Sequence, residues 1–277
     1  MKWGIVTDSS SDLVKSDFNF EDIELEIVPL SVMAGDRVFV DCEDPDIDEF
    51  LEYTKKYRSS SACPSHDDFK SAFEKHDNII CICMTGTLSG TYGSACLAAK
   101  LLKEEHPEKN IKVINSYSTA GAMVLTAEKA AELIEIGCDF ETVAKRTEEY
   151  CHSLELVFTL SSYDNLINAG RMNPFIGAVA THLGIRAVAV KTKEGEISVS
   201  KKVRGENKVL ETMVDIMRKK KPPVGSPVSI CHCKNPEMAQ KLADMIKTAF
   251  SPSEIKILAC KMLTSYYAMR GGVIVGY

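Results

Sequence analysis

In the first half of this chain, apolar runs repeatedly give way to short stretches of hydroxyl residues and glycine that lead into helices. The fullest case is Ile79-Ile80-Cys81-Ile82-Cys83-Met84, followed by Thr85-Gly86-Thr87-Leu88-Ser89-Gly90-Thr91-Tyr92-Gly93-Ser94-Ala95. Glycine lets backbone approach a ligand, and hydroxyls with the free N–H groups of a helix start can hold a phosphate or carboxylate. Two readings stand at this point: an anion cradle, or a helix start capped by Ser89 or Thr91. The pattern recurs where Lys2 to Thr7 meets Asp8-Ser9-Ser10-Ser11-Asp12, and where Ile111 to Asn115 meets Ser116-Tyr117-Ser118-Thr119-Ala120-Gly121. Strands alternating with helices predict a parallel α/β sheet, with a ligand beyond the carboxyl ends of its strands. The loops at 8–12, 59–65, 85–94 and 115–121 are therefore expected to converge on one site.

The 277 residues are 45% hydrophobic and 26% charged with net charge −6, the profile of a globular protein with no basic stripe for nucleic acid. No apolar segment is long enough to insert into a membrane, and Met1 to Asp8 enters a strand without a secretory signal. Ten cysteines scattered through apolar segments fit the reducing cytoplasm. Cys81-Ile82-Cys83 and Cys231-His232-Cys233 each place two thiols on one strand face. Their spacing is shorter than that of a zinc knuckle, so we read them as buried strand cysteines and expect no metal.

Further along, Glu24 to Val32 reads as a strand interrupted by Pro29, and Gly35-Asp36 as a hairpin turn into Arg37 to Val40. Ser59-Ser60-Ser61-Ala62-Cys63-Pro64-Ser65 reads as a hydroxyl-rich loop, with Ser65 capping a helix that begins near Asp67. Asp8 is assigned to satisfying loop backbone groups. Composition shifts near Leu154 to Leu160, and strand-like and helical runs alternate from there to the closing strand at Val273. We expect two α/β domains with the ligand between them. The first, residues 1–159, carries a parallel sheet with flanking helices, and the second, residues 160–277, is a mixed α/β domain.

Six short motifs then carry a resemblance. Thr7-Asp8-Ser9-Ser10-Ser11-Asp12-Leu13, Val28-Pro29-Leu30, Ser61-Ala62-Cys63-Pro64-Ser65, Leu88-Ser89-Gly90-Thr91-Tyr92, Asn168-Ala169-Gly170-Arg171 and Lys202-Val203-Arg204-Gly205 are collinear over nearly the whole chain. Together they resemble the DegV family, the bacterial fatty acid-binding subunits of a two-component fatty acid kinase. The resemblance implies a carrier that is not itself an enzyme and has no catalytic residue or cofactor. It would hold one long-chain fatty acid between its domains and present the carboxylate to a separate ATP-dependent kinase, which makes the acyl phosphate. By the same resemblance Ser61 and Ser89 hold the carboxylate and Arg171 and Arg204 supply charge. Thr91, Tyr267 and Arg270 are further head-group neighbours. Tyr267 stands where the family has a histidine; it can donate a hydrogen bond without supplying an imidazolium's charge. Arg270 either replaces that charge or faces solvent.

Two other functions compete. A hydrolase or phosphotransferase would use Asp8, Ser89 or Cys63 on a small anionic or acyl substrate, but the chain lacks a phosphate loop with lysine and a nucleophile elbow. A lipid sensor would report ligand status without a kinase partner.

Overall fold

The computed structural model describes residues 2–41, 46–173 and 184–277, and three sheets organise them. The first is parallel, in the order β2-β1-β6-β7, from β1 (Trp3–Asp8), β2 (Ile23–Val28), β6 (Asn78–Cys83) and β7 (Asn110–Asn115). All six residues of β6 are buried, as an uninterrupted apolar run in a central parallel strand requires. The helices α2 (His66–Phe73) and α3 (Thr91–Glu105) cover one face, where Phe69, Phe73 and Leu102 pack on Val6, Ile79 and Cys81.

A small antiparallel sheet, β4-β3-β5, is built from β3 (Ser31–Ala34), β4 (Arg37–Val40) and β5 (Ser59–Ala62). Pro29 ends β2, and the chain leaves the parallel sheet to start this second one. Helix α1 (Ile47–Lys56) buries Ile47, Phe50, Leu51 and Thr54, matching the expected helical spacing. Here the structure also corrects the sequence reading, because Ser59 to Ala62 is a strand, in register with β3 from Ala34↔Ser59 to Ser31↔Ala62. Its four residues lie partly exposed and lack apolar alternation, so only the partner strand reveals it. Ser65 does cap α2, in a reciprocal box with Asp68.

The third sheet runs β10-β9-β8-β13-β11-β12, from β8 (Leu156–Thr159), β9 (Ile185–Lys191), β10 (Ile197–Arg204), β11 (Val228–His232), β12 (Ile255–Ala259) and β13 (Val273–Gly276). It is mixed, with only β11 and β12 parallel. Strand β8 lies in its middle, between β13 and β9, so we place the division between the two units ahead of Leu156 instead of after Thr159. Period-two alternation splits this sheet's side chains. Val157, Val188 and Val275 face α7 (Glu206–Lys220) and α8 (Pro236–Phe250), while Leu156, Phe158 and Ile274 face the first unit.

Between the units lies α4 (Gly121–Glu135), buried from Gly121 through Thr126 and on to Ala127, and packed against β1 and β6 on one side and β11 and β13 on the other. Its first two turns, Gly121 to Ala127, are buried all round, as such a shared position demands, and the charged residues begin only at Glu128. Its first residue must be glycine. A Cβ on Gly121 would lie 2.6 Å from the Ser229 carbonyl oxygen, and one on Gly276 would lie 2.3 Å from the Ala122 nitrogen. The chain continues from α4 into α5 (Phe140–Ser153), capped by Asp139. Two short helices are also among the described residues, α6 (Asp164–Asn168) and α9 (Met262–Ala268). Among the described residues, no helix is long and apolar enough to cross a membrane.

Candidate functional site

The first loop and the end of β6 are tied together by Asp8. Its carboxylate accepts from the Met84 N–H at 2.7 Å, the Ser10 N–H at 3.0 Å and the Ser10 hydroxyl at 2.5 Å. Complete burial pushes Asp8 up to about 6, with these hydrogen bonds opposing the shift. Asp8 thus has the structural job assigned to it. Two further buried carboxylates hold the start of α9. Asp12 accepts from the Lys261 N–H at 2.8 Å, and Asp41 from the N–H groups of Met262 at 2.8 Å and Leu263 at 3.2 Å. Burial raises Asp12 to about 8 and Asp41 to about 6. Through them the first unit fixes a helix of the second, and that helix carries Thr264, Tyr266 and Tyr267.

With these loops fixed, a cavity of about 850 Å³, its mouth included, lies between the units. Its walls are apolar. Leu30, Met84 and Leu88 come from the first unit, and Leu156, Phe158, Leu160, Leu166, Ile197, Leu263 and Ile274 from the second. The triplet Leu156, Phe158 and Leu160 is one face of β8 and its extension, a period-two signal that was available in the sequence. Ser161 N–H donates to the Ala268 carbonyl at 3.1 Å, so the Leu160 end of this wall lies beside Tyr267.

At that end the polar residues gather. The Ser61 hydroxyl and the Tyr267 phenol are 2.8 Å apart, and Ser59 and Tyr266 make a parallel contact at 3.0 Å. Ser89 lies 2.8 Å from the Thr91 hydroxyl and accepts from the Thr91 N–H at 3.3 Å. Ser89 thus braces the first turn of α3 while lining the cavity, whereas Thr91 is fully buried behind it. Arg171 spans the units: its Nε donates to the Leu88 carbonyl at 2.9 Å and its Nη1 to the Ala169 carbonyl at 2.8 Å. Ser61, Ser89, Arg171 and Tyr267 all line the one cavity. Beyond Arg171 a second, polar cleft opens, lined by Lys55, Arg58, Ser59, Asn165 and Tyr266 among others, and Arg171 is the one described residue common to both.

The two remaining arginines are not part of this arrangement. Arg204 ends β10, an edge strand, opposite Ile185, and its side chain is exposed instead of facing the cavity. Register explains the misplacement, since the pairing sets Arg204 at the open end of the β9–β10 hairpin. Arg270 is exposed too, paired with Asp48 of α1. Of the two alternatives left open for it, the structure shows the outward one, as a tie between the units.

Lys191, Gly195 and Thr264 line the cavity without having carried a sequence signal, whereas Thr85, Tyr117 and Ser118 come from loops expected to converge there. The β9–β10 turn brings Gly195 onto the first unit, where the Thr87 hydroxyl donates to its carbonyl at 3.0 Å. Gly195 has φ +81, and a Cβ there would lie 2.1 Å from the Thr85 hydroxyl. Only glycine allows this approach.

Of the cysteine pairs, Cys81 and Cys83 are fully buried with thiols 3.6 Å apart. Cys231 and Cys233 are buried as well, and His232 between them accepts from the Asn235 N–H at 3.2 Å. Among the described residues the grouping with metal-ligand spacing is Glu24, Glu26 and His76. Lys2, Lys15 and Lys75 already pair with its two carboxylates.

Fold and cavity together define a two-unit α/β protein whose enclosed apolar space ends in hydroxyls and an arginine. The model of the DegV family of uncharacterised proteins matches residues 2–275. The chain belongs to that family. A DegV domain-containing protein of Streptococcus pyogenes is 36% identical over 281 residues, spanning 100% of this chain and 99% of its own. Among solved structures, the Streptococcus pneumoniae fatty acid kinase B3 protein loaded with linoleic acid superposes with a TM-score of 0.96 at 36% identity, covering 100% of this chain and 99% of that one. A Eubacterium eligens DegV protein loaded with heptadecanoic acid gives 0.92 at 32% identity, covering 98% of each chain.

Proposed function

We propose that this protein binds a long-chain fatty acid, with the acyl chain in the cavity and the carboxylate among Ser61, Ser89, Tyr267 and Arg171. The observation that carries this reading is an apolar space built by both units that ends in neutral hydroxyl donors and one guanidinium. Hydroxyls hold a carboxylate without neutralising it, and the arginine favours its ionised form. Each buried methylene contributes about 0.8 kcal/mol, enough over a long chain for the ligand to co-purify. The bound fatty acids of the solved relatives support the same reading.

The protein then presents the carboxylate to a separate ATP-dependent fatty acid kinase in the cytoplasm, where acyl phosphate forms. It is a carrier and not the kinase. The polar cleft that shares Arg171 with the cavity supports this step, because its Lys55 and Arg58 offer cations for a phosphoryl donor. Solvent extraction of the purified protein followed by mass spectrometry tests the first part; recovery of no fatty acid, with no binding of added oleate or palmitate, overturns it. Incubating the loaded protein with ATP and a fatty acid kinase tests the second, with acyl phosphate as the expected product. Acyl phosphate turnover by this protein alone, lost in Ser89→Ala, would instead make it an enzyme.

A further inference from the structure

The end of the cavity away from Tyr267 is not the greasy terminus that an alkyl tail calls for. Leu156 to Leu160 spans roughly 13 Å along the wall at about 3.3 Å per residue. Leu160 lies at the Tyr267 end, while Lys191 lies at the other, one residue past the Val157↔Val190 pair. Lys191 lines the cavity, and burial pulls its ammonium below the ordinary lysine range. Glu155, the carboxylate whose field reaches it, is itself held by Lys220 at 2.6 Å.

The neighbouring turn supplies a second donor. Ser118 is 3% exposed and lines the same cavity, yet its hydroxyl has no hydrogen-bond partner. The backbone around it is satisfied, since its N–H donates to the Ser116 hydroxyl at 3.1 Å and its carbonyl accepts from the Thr85 N–H at 2.9 Å. Gly195 links the two positions: it turns the β9–β10 hairpin shortly after Lys191, and a Cβ on it would lie 2.9 Å from the Cα of Tyr117, the residue before Ser118. A plain alkyl end placed here would leave the buried Ser118 hydroxyl unpaired and lay methylene against the part-buried Lys191, both unfavourable.

We propose that Ser118 and Lys191 form a second polar subsite that donates hydrogen bonds to an oxygen far along the acyl chain. The preferred ligand is then an oxygenated fatty acid, bearing a hydroxyl, oxo or second carboxylate group, over its unsubstituted parent. This rests on the reading that the cavity holds a fatty acid. A site built to hydrogen-bond a ligand oxygen discriminates against the analogue that lacks it, because its own polar groups are then left unpaired.

The test is isothermal titration of the delipidated full chain with stearate, a series of monohydroxystearates, palmitate and hexadecanedioate. At least one oxygenated acid is expected to bind about tenfold tighter than its parent, the lower part of what one such contact supplies. In Lys191→Met and in Ser118→Ala that ratio falls towards one. The inference is overturned if the parents bind as tightly as every oxygenated acid, or if the ratio survives in both variants. It also falls if Lys191→Met weakens parent and oxygenated acid equally, since Lys191 would then merely pair with the carboxylate. These results leave fatty acid binding standing, whereas no binding of any acid removes that reading as well.

Discussion

The Ser61 hydroxyl and the Tyr267 phenol meet at 2.8 Å although 206 positions separate them in the chain. One belongs to the small antiparallel sheet of the first unit and the other to α9 of the second. In any such pair one O–H is used by the contact and the other remains to donate, so the pair has one hydrogen left for a ligand carboxylate.

Removing a hydroxyl from this end should therefore weaken ligand binding. Ser61→Ala and Ser89→Ala are each expected to lose about 1.5 to 3 kcal/mol, the usual contribution of a hydrogen bond to a charged group. Titration with oleate checks this, and an unchanged Kd in Ser89→Ala would remove that residue from the head-group site.

The buried carboxylates give the protein a pH signature. Asp12, raised to about 8, keeps a proton in the folded chain that the unfolded chain releases at lower pH. Its contribution to stability is complete below the ordinary carboxylate range and is lost as pH rises through about 8. Asp8 and Asp41 follow the same sign but are spent by about 6. His76 and His232, lowered by burial, act oppositely and subtract only as pH falls below the ordinary histidine value. Between roughly pH 6.5 and 7.5, above histidine's ordinary range and below that of the buried cysteines, whose raised thiols add a loss of the same sign at higher pH, the slope thus belongs to Asp12. Urea midpoints should fall with rising pH there, and Asp12→Asn should flatten the slope. Asparagine can still accept from Lys261 and tolerates the backbone at φ 60.

Gly195→Ala should open the cavity from the hairpin side. Its methyl would collide with Thr85, and its positive φ adds strain, so the turn must lift from the Thr87 contact. Overpacking of this kind costs about 1 to 3 kcal/mol. Stopped-flow release of a fluorescent fatty acid should quicken; an unaltered rate would mean that the hairpin tip is not part of the enclosing wall.

Arg204→Ala and Arg270→Ala are expected to leave the oleate Kd unchanged, since both side chains are exposed and lie outside the cavity. A tenfold loss in either, by the same titration, would place an arginine at the carboxylate where the structure does not.

The parts of the fold that were legible in the sequence are those with strong local signals. The buried run of β6, the box of Ser65 with Asp68 and the Asp139 cap each announce themselves within a few residues. Strand β5 did not, because serines in an extended strand resemble serines in a loop and only pairing with β3 decides between them. Strand β8 was visible as a strand, but its membership in the second sheet depends on β13, more than a hundred positions later. The same holds at the site. Ser61, Ser89 and Arg171 sit in short motifs and Ser118 in a hydroxyl-rich loop, whereas Lys191 reaches the cavity only through sheet register. Arg204 shows the converse, a motif residue that register carries away from the cavity.

Gly121 and Gly276 press backbone against backbone where α4 meets the second sheet, while the far side of the same helix belongs to the first. The units consequently have no clean seam. A gene divided ahead of Leu156 would strand α4 in one fragment with half its surface bare, and would leave each fragment one wall of the cavity. A recombination event at that point would have to bring both walls of the cavity from one parent to keep them matched.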